Sequence, residues 1–221
     1  VVADSMNPVD LDFTGAINVT GLDTASNASS GIMAFAYQSG GSDVRVNSTG
    51  NITIDISQDA NSAAWGNRAI VALAGSEEAA VTSTGDLSIA VAGELETLVK
   101  GIEVSGEAGA SIVNAGNVTV SAEAGYGDGL AVISGATSSV ESVGDIDVEF
   151  GATAGYGISA RGTHNTISSQ GNITADGGGI VAQGKLLYDE NGNVVGTAIA
   201  EVTEVNSIGD ISVSEDGAGA I

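Results

Sequence analysis

Ser111-Ile112-Val113-Asn114-Ala115-Gly116-Asn117-Val118-Thr119-Val120 decides the fold. Counted from Gly116, positions −4, +2 and +4 are aliphatic, −2 is a small polar residue and +3 is polar. That alternation on either side of a Gly-Asn turn reads as two short strands, each with one buried face. Gly-Asn supplies the turn between them.

The pattern recurs along the chain. Its copies are Gly50-Asn-Ile-Thr-Ile54, Gly85-Asp-Leu-Ser-Ile89, Gly144-Asp-Ile-Asp-Val148, Gly171-Asn-Ile-Thr-Ala175 and Gly209-Asp-Ile-Ser-Val213, with a divergent first copy, Gly15-Ala-Ile-Asn-Val19. The anchor glycines lie 35, 35, 31, 28, 27 and 38 residues apart. Four positions upstream of them stand Leu11, Val46, Val81, Ile112, Val140, Ile167 and Val205. Two positions upstream stand Phe13, Ser48, Ser83, Asn114, Ser142, Ser169 and Ser207. A third segment lies between anchors: Gly31-Ile-Met-Ala34, Ala69-Ile-Val-Ala72, Gly101-Ile-Glu-Val104, Gly129-Leu-Ala-Val132, Gly157-Ile-Ser-Ala160 and Gly179-Ile-Val-Ala182.

Each repeat therefore offers three short strands. One such coil cannot bury its apolar face, but stacked coils can. The expectation is an all-β, right-handed parallel β-helix of about seven three-strand coils, rising about 4.8 Å per coil to roughly 34 Å. Irregular spacing suits a solenoid, whose turns tolerate insertions, and suits a propeller poorly. Gly, Val, Ile and Thr in this quantity exclude helical repeats. The interior should hold columns such as Ile52, Leu87, Val118 and Ile146, or Ile70, Ile102, Leu130 and Ile158. The Ser and Asn at −2 are expected to form a hydrogen-bonded ladder. The residue after the anchor alternates: Asn51, Asp86, Asn117, Asp145, Asn172, Asp210. Alternation doubles the distance between carboxylates and lets each accept from an amide.

Over nearly the whole chain, repeats of the form Gly-Ile-x-Ala followed by Val-x-Ser-x-Gly-Asn-Ile-Thr-Val resemble the passenger domains of Gram-negative autotransporters and haemagglutinin-like two-partner-secreted proteins. The resemblance implies a right-handed parallel β-helix displayed outside the outer membrane, most often as an adhesin or self-association factor. It carries over no catalytic residue.

Composition narrows the function. Of 221 residues 28 are acidic and 5 basic, a net charge of −23. Nucleic acid and anionic lipid are poor partners for such a surface. At 43% hydrophobic and 15% charged, the chain is not a disordered acidic tract. It has no Cys. It lacks an apolar run long enough to span a bilayer as a helix and a signal-peptide pattern. It starts Val1-Val2 without Met and ends on Gly219-Ala220-Ile221, the opening of another repeat, so residues 1–221 read as one β-helix segment of a longer chain.

Chemistry has little material. The one His, His164, stands in Arg161-Gly-Thr-His164-Asn165 and reads as a turn residue. No Gly-x-Ser-x-Gly elbow accompanies it, so catalytic and cofactor-binding residues are none. Sugar hydrolysis by two carboxylates is the enzymatic alternative. Asn191-Gly192 between apolar flanks reads as a hairpin excursion over 184–197. Asp189, Asn191 and Asn193 are weak calcium candidates, because the distal Glu of a calcium loop is missing. Sequons stand at Asn18, Asn27, Asn47, Asn51, Asn117 and Asn172, and those at Asn51, Asn117 and Asn172 follow from the repeat itself.

Two strips could meet a partner. Trp65, Tyr126 and Tyr156 each precede a Gly ahead of the Ile column and are expected at the same corner of their coils. Met33, Phe35, Val71 and Leu73 occupy outward positions of the Gly-Ile strand, followed by Glu103, Ser105, Ala131 and Ile133. Apolar side chains facing outward need a cover, either from long connections or from another chain. The reading is an extracellular or bacterial outer-surface rod, adhesive and structural, whose partner is itself or a surface glycan or protein. A filament or sheath subunit and a carbohydrate-acting enzyme are the alternatives.

Overall fold

A computed structural model describes residues 1–23, 29–36, 42–58, 66–93, 97–151, 155–188 and 194–214. Three parallel sheets of seven strands each run the length of the molecule. The first sheet contains Val2–Ser5, Ser30–Ala36, Asn67–Ala74, Thr97–Gly106, Gly125–Ser134, Gly155–Arg161 and Gly178–Gln183. The second contains Val9–Thr14, Val44–Thr49, Glu78–Thr84, Gly109–Ala115, Thr137–Val143, His164–Gln170 and Val202–Ile208. The third contains Ile17–Asp23, Ile52–Gln58, Leu87–Ala92, Val118–Ala122, Ile146–Phe150, Ile173–Ala175 and Ile211–Val213. The chain visits the three in turn and then steps to the next tier, so the fold is a β-solenoid of seven tiers.

The columns read from the sequence are the observed register. Ile32, Ile70, Ile102, Leu130, Ile158 and Ile180 pair in succession. So do Ile17, Ile52, Leu87, Val118, Ile146, Ile173 and Ile211. Ile52, Leu87 and Val118 point into the dry interior, with at most 1% exposure. Each such side chain contributes about 1.5–3 kcal/mol of burial free energy. The terminal tiers are less enclosed: Leu11, Ile17 and Val19 at one end and Val205 and Ile211 at the other are only partly buried.

The anchor glycines are required twice over. Their φ lies between +121° and +151°, a region that side-chain-bearing residues avoid. A Cβ on Gly116 would also stand 2.3 Å from the carbonyl oxygen of Gly85 one tier away. The turns are bonded directly between tiers, with Gly116 N–H donating to Val143 O at 2.9 Å. The alternating Asn and Asp column forms a continuous ladder. Backbone amides of Asp86, Asn117, Asp145, Asn172 and Asp210 donate to Oδ1 of Asn51, Asp86, Asn117, Asp145 and Asn172, over 2.7–3.1 Å. The donors are main-chain amides, not the neighbouring side-chain amides.

Two expectations need correction. The −2 column is not a hydrogen-bonded ladder. Asn114 Nδ2 reaches Ser142 Oγ at 3.4 Å, but Ser48, Ser83, Ser169 and Ser207 have no hydrogen-bond partner among the described residues. A hydroxyl can cross a tier, as Thr84 Oγ1 does to Thr49 Oγ1 at 3.3 Å, but in the −2 column only the longer Asn arm does so. The second correction concerns Val2–Ser5, a strand of the first sheet that lacks the Gly-Ile signature. Its Ala3 pairs with Ala34. In the 184–197 region Leu186–Tyr188 and Val194–Thr197 pair antiparallel, and Asn191-Gly192 lies outside the described residues.

Candidate binding face

The outer face of the first sheet differs from the rest of this acidic molecule. Its strands carry Gly101, Gly129, Gly157 and Gly179 just before the Ile column, and there the in-out alternation slips by one residue. Val99 and Ile102 are both in the core, while Lys100 between them joins the outer face. A Cβ on Gly101 would lie 2.4 Å from the carbonyl oxygen of Gly129, so a side chain there would clash with the next tier.

The slip places one outward column two residues before the aliphatic one: Arg68, Lys100, Asp128 and Tyr156 pair in succession. Beside it run Val71, Glu103, Ala131, Ser159 and Val181, then Leu73, Ser105, Ile133, Arg161 and Gln183. Arg68, Lys100 and Arg161, three of the five basic residues in the chain, thus share one face.

These charges are largely withdrawn from water. Glu103 accepts from Arg68 Nε and, at 2.7 Å, from Lys100 Nζ. Lys100 Nζ also stands 3.8 Å from Asp128 Oδ2. Burial pushes the Glu103 carboxyl up, but Lys100 and Arg68 outweigh it together and hold the group below the ordinary glutamate range. Asp128 goes the other way. Burial raises it above the ordinary aspartate range, despite Lys100, a hydrogen bond from Ser159 and the charge of Arg161. Lys100 and Asp128 are 8% and 9% exposed.

A cleft of about 270 Å³ opens over this cluster, and Lys100, Tyr126, Asp128, Tyr156, Arg161 and Gln183 are among its lining residues. Tyr126 is 45% exposed at the rim. The two tyrosines are not equivalent by register. Tyr126 pairs with Leu98, and Tyr156 pairs with Asp128. The shared Tyr-Gly dipeptide conceals an offset of two residues, and the cleft brings the rings to one site from different columns. Lys185, Leu186 and Leu187 border a neighbouring recess with Ser105 and Ile133, so the root of the hairpin approaches the same face.

Phe35 and Val71 are 9% and 2% exposed yet lie outside the interior core, and Met33 and Leu73 are half-buried. Trp65, Asp189, Asn191 and Asn193 lie outside the described residues. Among the described residues no group of three or more His, Cys, Asp or Glu is placed to hold a metal ion. His164 begins a second-sheet strand, half-exposed, with Nε2 3.6 Å from Glu201 Oε2.

The sequence reading missed Arg68, Lys100, Asp128 and Arg161 as a group. A signal was present: Arg68-Ala-Ile, Lys100-Gly-Ile, Asp128-Gly-Leu and Tyr156-Gly-Ile put polar or aromatic residues at one repeat position. Ordinary strand parity would have sent that position inward. Comparison with family models, curated proteins and solved structures found no match.

Proposed function

We propose that this chain is a non-catalytic, adhesive β-solenoid rod, secreted or displayed on a bacterial surface, that attaches to its partner through the outer face of the first sheet. The observation carrying this reading is the placing of Lys100 and Arg161 in one cleft, with Arg68 beside Lys100 in the adjoining tier, in a chain of net charge −23. Elsewhere the acidic surface repels anionic partners and limits non-specific contact. Here the field is locally neutralised, so a partner can dock without meeting like charge. The stacked core holds the face rigid, which lowers the ordering cost of binding. The second and third sheets present mainly small polar and acidic side chains outward, a surface suited to solubility.

The reading is tested with beads carrying the purified chain. They should adhere to intact cells, and Arg161→Glu should reduce adhesion about tenfold by placing like charge at the cleft. Equal adhesion by the two proteins would contradict the proposed face. Release of new reducing ends from acidic or neutral polysaccharides above the blank would overturn the non-catalytic part.

A further inference from the structure

We infer that the first-sheet cleft binds a short acidic saccharide, with sugar rings on Tyr126 and Tyr156 and a sugar carboxylate on Arg161. This rests on the reading of that face as the attachment surface.

Three features lead to this ligand. The first is the pair of tyrosines. Each offers a flat apolar ring with a polar tip, which matches a pyranose, apolar on its C–H face and hydroxylated at its rim. The remaining lining sets Lys100, Asp128, Ser159, Arg161 and Gln183 beside Leu98, Ile133 and Val181, a mixed surface that answers both sides of a sugar ring. Asp128 and Gln183 supply acceptors and an amide donor for sugar hydroxyls.

The second feature is the distribution of charge. Arg68 and Lys100 are engaged by Glu103, and Lys100 also faces Asp128. Arg161 has no ion pair and no side-chain hydrogen bond among the described residues; its recorded interaction is the longer-range attraction to Asp128. A half-exposed guanidinium at the cleft is a fork shaped for a carboxylate. One available cation beside an acid suits a singly charged carboxylate better than a phosphate dianion.

The third feature is length. Tyr156 and Arg161 are five residues apart on one strand, about 16 Å at 3.3 Å per residue. A short oligosaccharide lying along the strand can meet both residues. The surrounding negative charge disfavours a long polyanion, so sparse carboxylates and short segments are preferred.

The probes are trigalacturonate and its fully methyl-esterified form, which has the same rings without the charge, titrated into the whole chain by calorimetry. The acid should bind about tenfold more tightly than the ester, the scale of one charge-assisted contact. Arg161→Gln should abolish that preference, weakening the acid far more than the ester. Tyr126→Ala should weaken both ligands, with thermal melts showing that each variant folds. Equal affinity for the two ligands, or a preference that survives Arg161→Gln, would overturn the carboxylate assignment. If neither ligand binds while beads still adhere through this face, the saccharide is wrong and the attachment reading stands. If binding and adhesion are both absent, both fail.

Discussion

Glu103 is the residue on which the charged cluster depends. Its carboxylate holds two cations whose side chains are 18% and 10% exposed. Glu103→Gln would leave Arg68 and Lys100 short of a counter-charge, and removing one partner of a buried pair costs about 3 kcal/mol. Because the folded-state pKa is depressed, this stabilisation is present above the ordinary glutamate range and is lost as pH falls through the lower, folded value. Urea denaturation at neutral pH should show the full deficit, and the gap between variant and wild type should narrow in acid. Ser83 gives the opposite prediction. It is fully buried and its hydroxyl has no partner among the described residues. Such a group carries its desolvation cost uncompensated, so Ser83→Ala should be neutral or stabilising by up to about 1 kcal/mol in the same assay. A clear loss of stability would mean that the hydroxyl is hydrogen-bonded.

At the scale of the elements, the turn after each second-sheet strand sets the pitch of the solenoid. The glycine column allows two backbones to pass within a distance no Cβ permits, and the Asn and Asp ladder then ties each turn to the next. Gly116→Ala would force a disallowed φ, costing about 1–3 kcal/mol, and would also press its Cβ into the Gly85 carbonyl. The sum should exceed about 3 kcal/mol in equilibrium unfolding. Gly196→Ala, where an added Cβ meets nothing within 4 Å, should change stability by less than about 0.5 kcal/mol. These elements were legible because their residues repeat. Gly-Asn-Ile-Thr-Val encodes turn, register and inward face together, and every aliphatic column drawn from it is an observed register. Val2–Ser5 was not legible, since it forms a strand through pairing with Ser30–Ala36 and not through a motif of its own. The −2 serines misled because a buried hydroxyl suggests a partner, and theirs find none among the described residues.

For the whole molecule, the solenoid turns a one-dimensional repeat into separate faces. Two sheets carry mostly small polar and acidic residues outward, and the first sheet gathers cations, two tyrosines and a cleft. The acidity of the chain was plain from composition, but its one-sided relief was not. That relief depends on the slip in alternation at Gly101, Gly129 and Gly157, which sends Lys100, Asp128 and Tyr156 out of the core. Both the fold and the binding face therefore stand on strict register between tiers. The absence of Cys from the chain makes a clean crosslinking test possible. Ser105 and Ile133 pair across adjacent tiers on the outer face, in the column that continues to Arg161, and a parallel neighbour at about 4.8 Å is within disulfide reach. Ser105→Cys with Ile133→Cys should form an intramolecular disulfide under mild oxidation. Ser105→Cys with Val132→Cys, whose side chains point to opposite faces, should remain reduced. Crosslinking of the second pair and not the first would contradict the register, and with it the cleft.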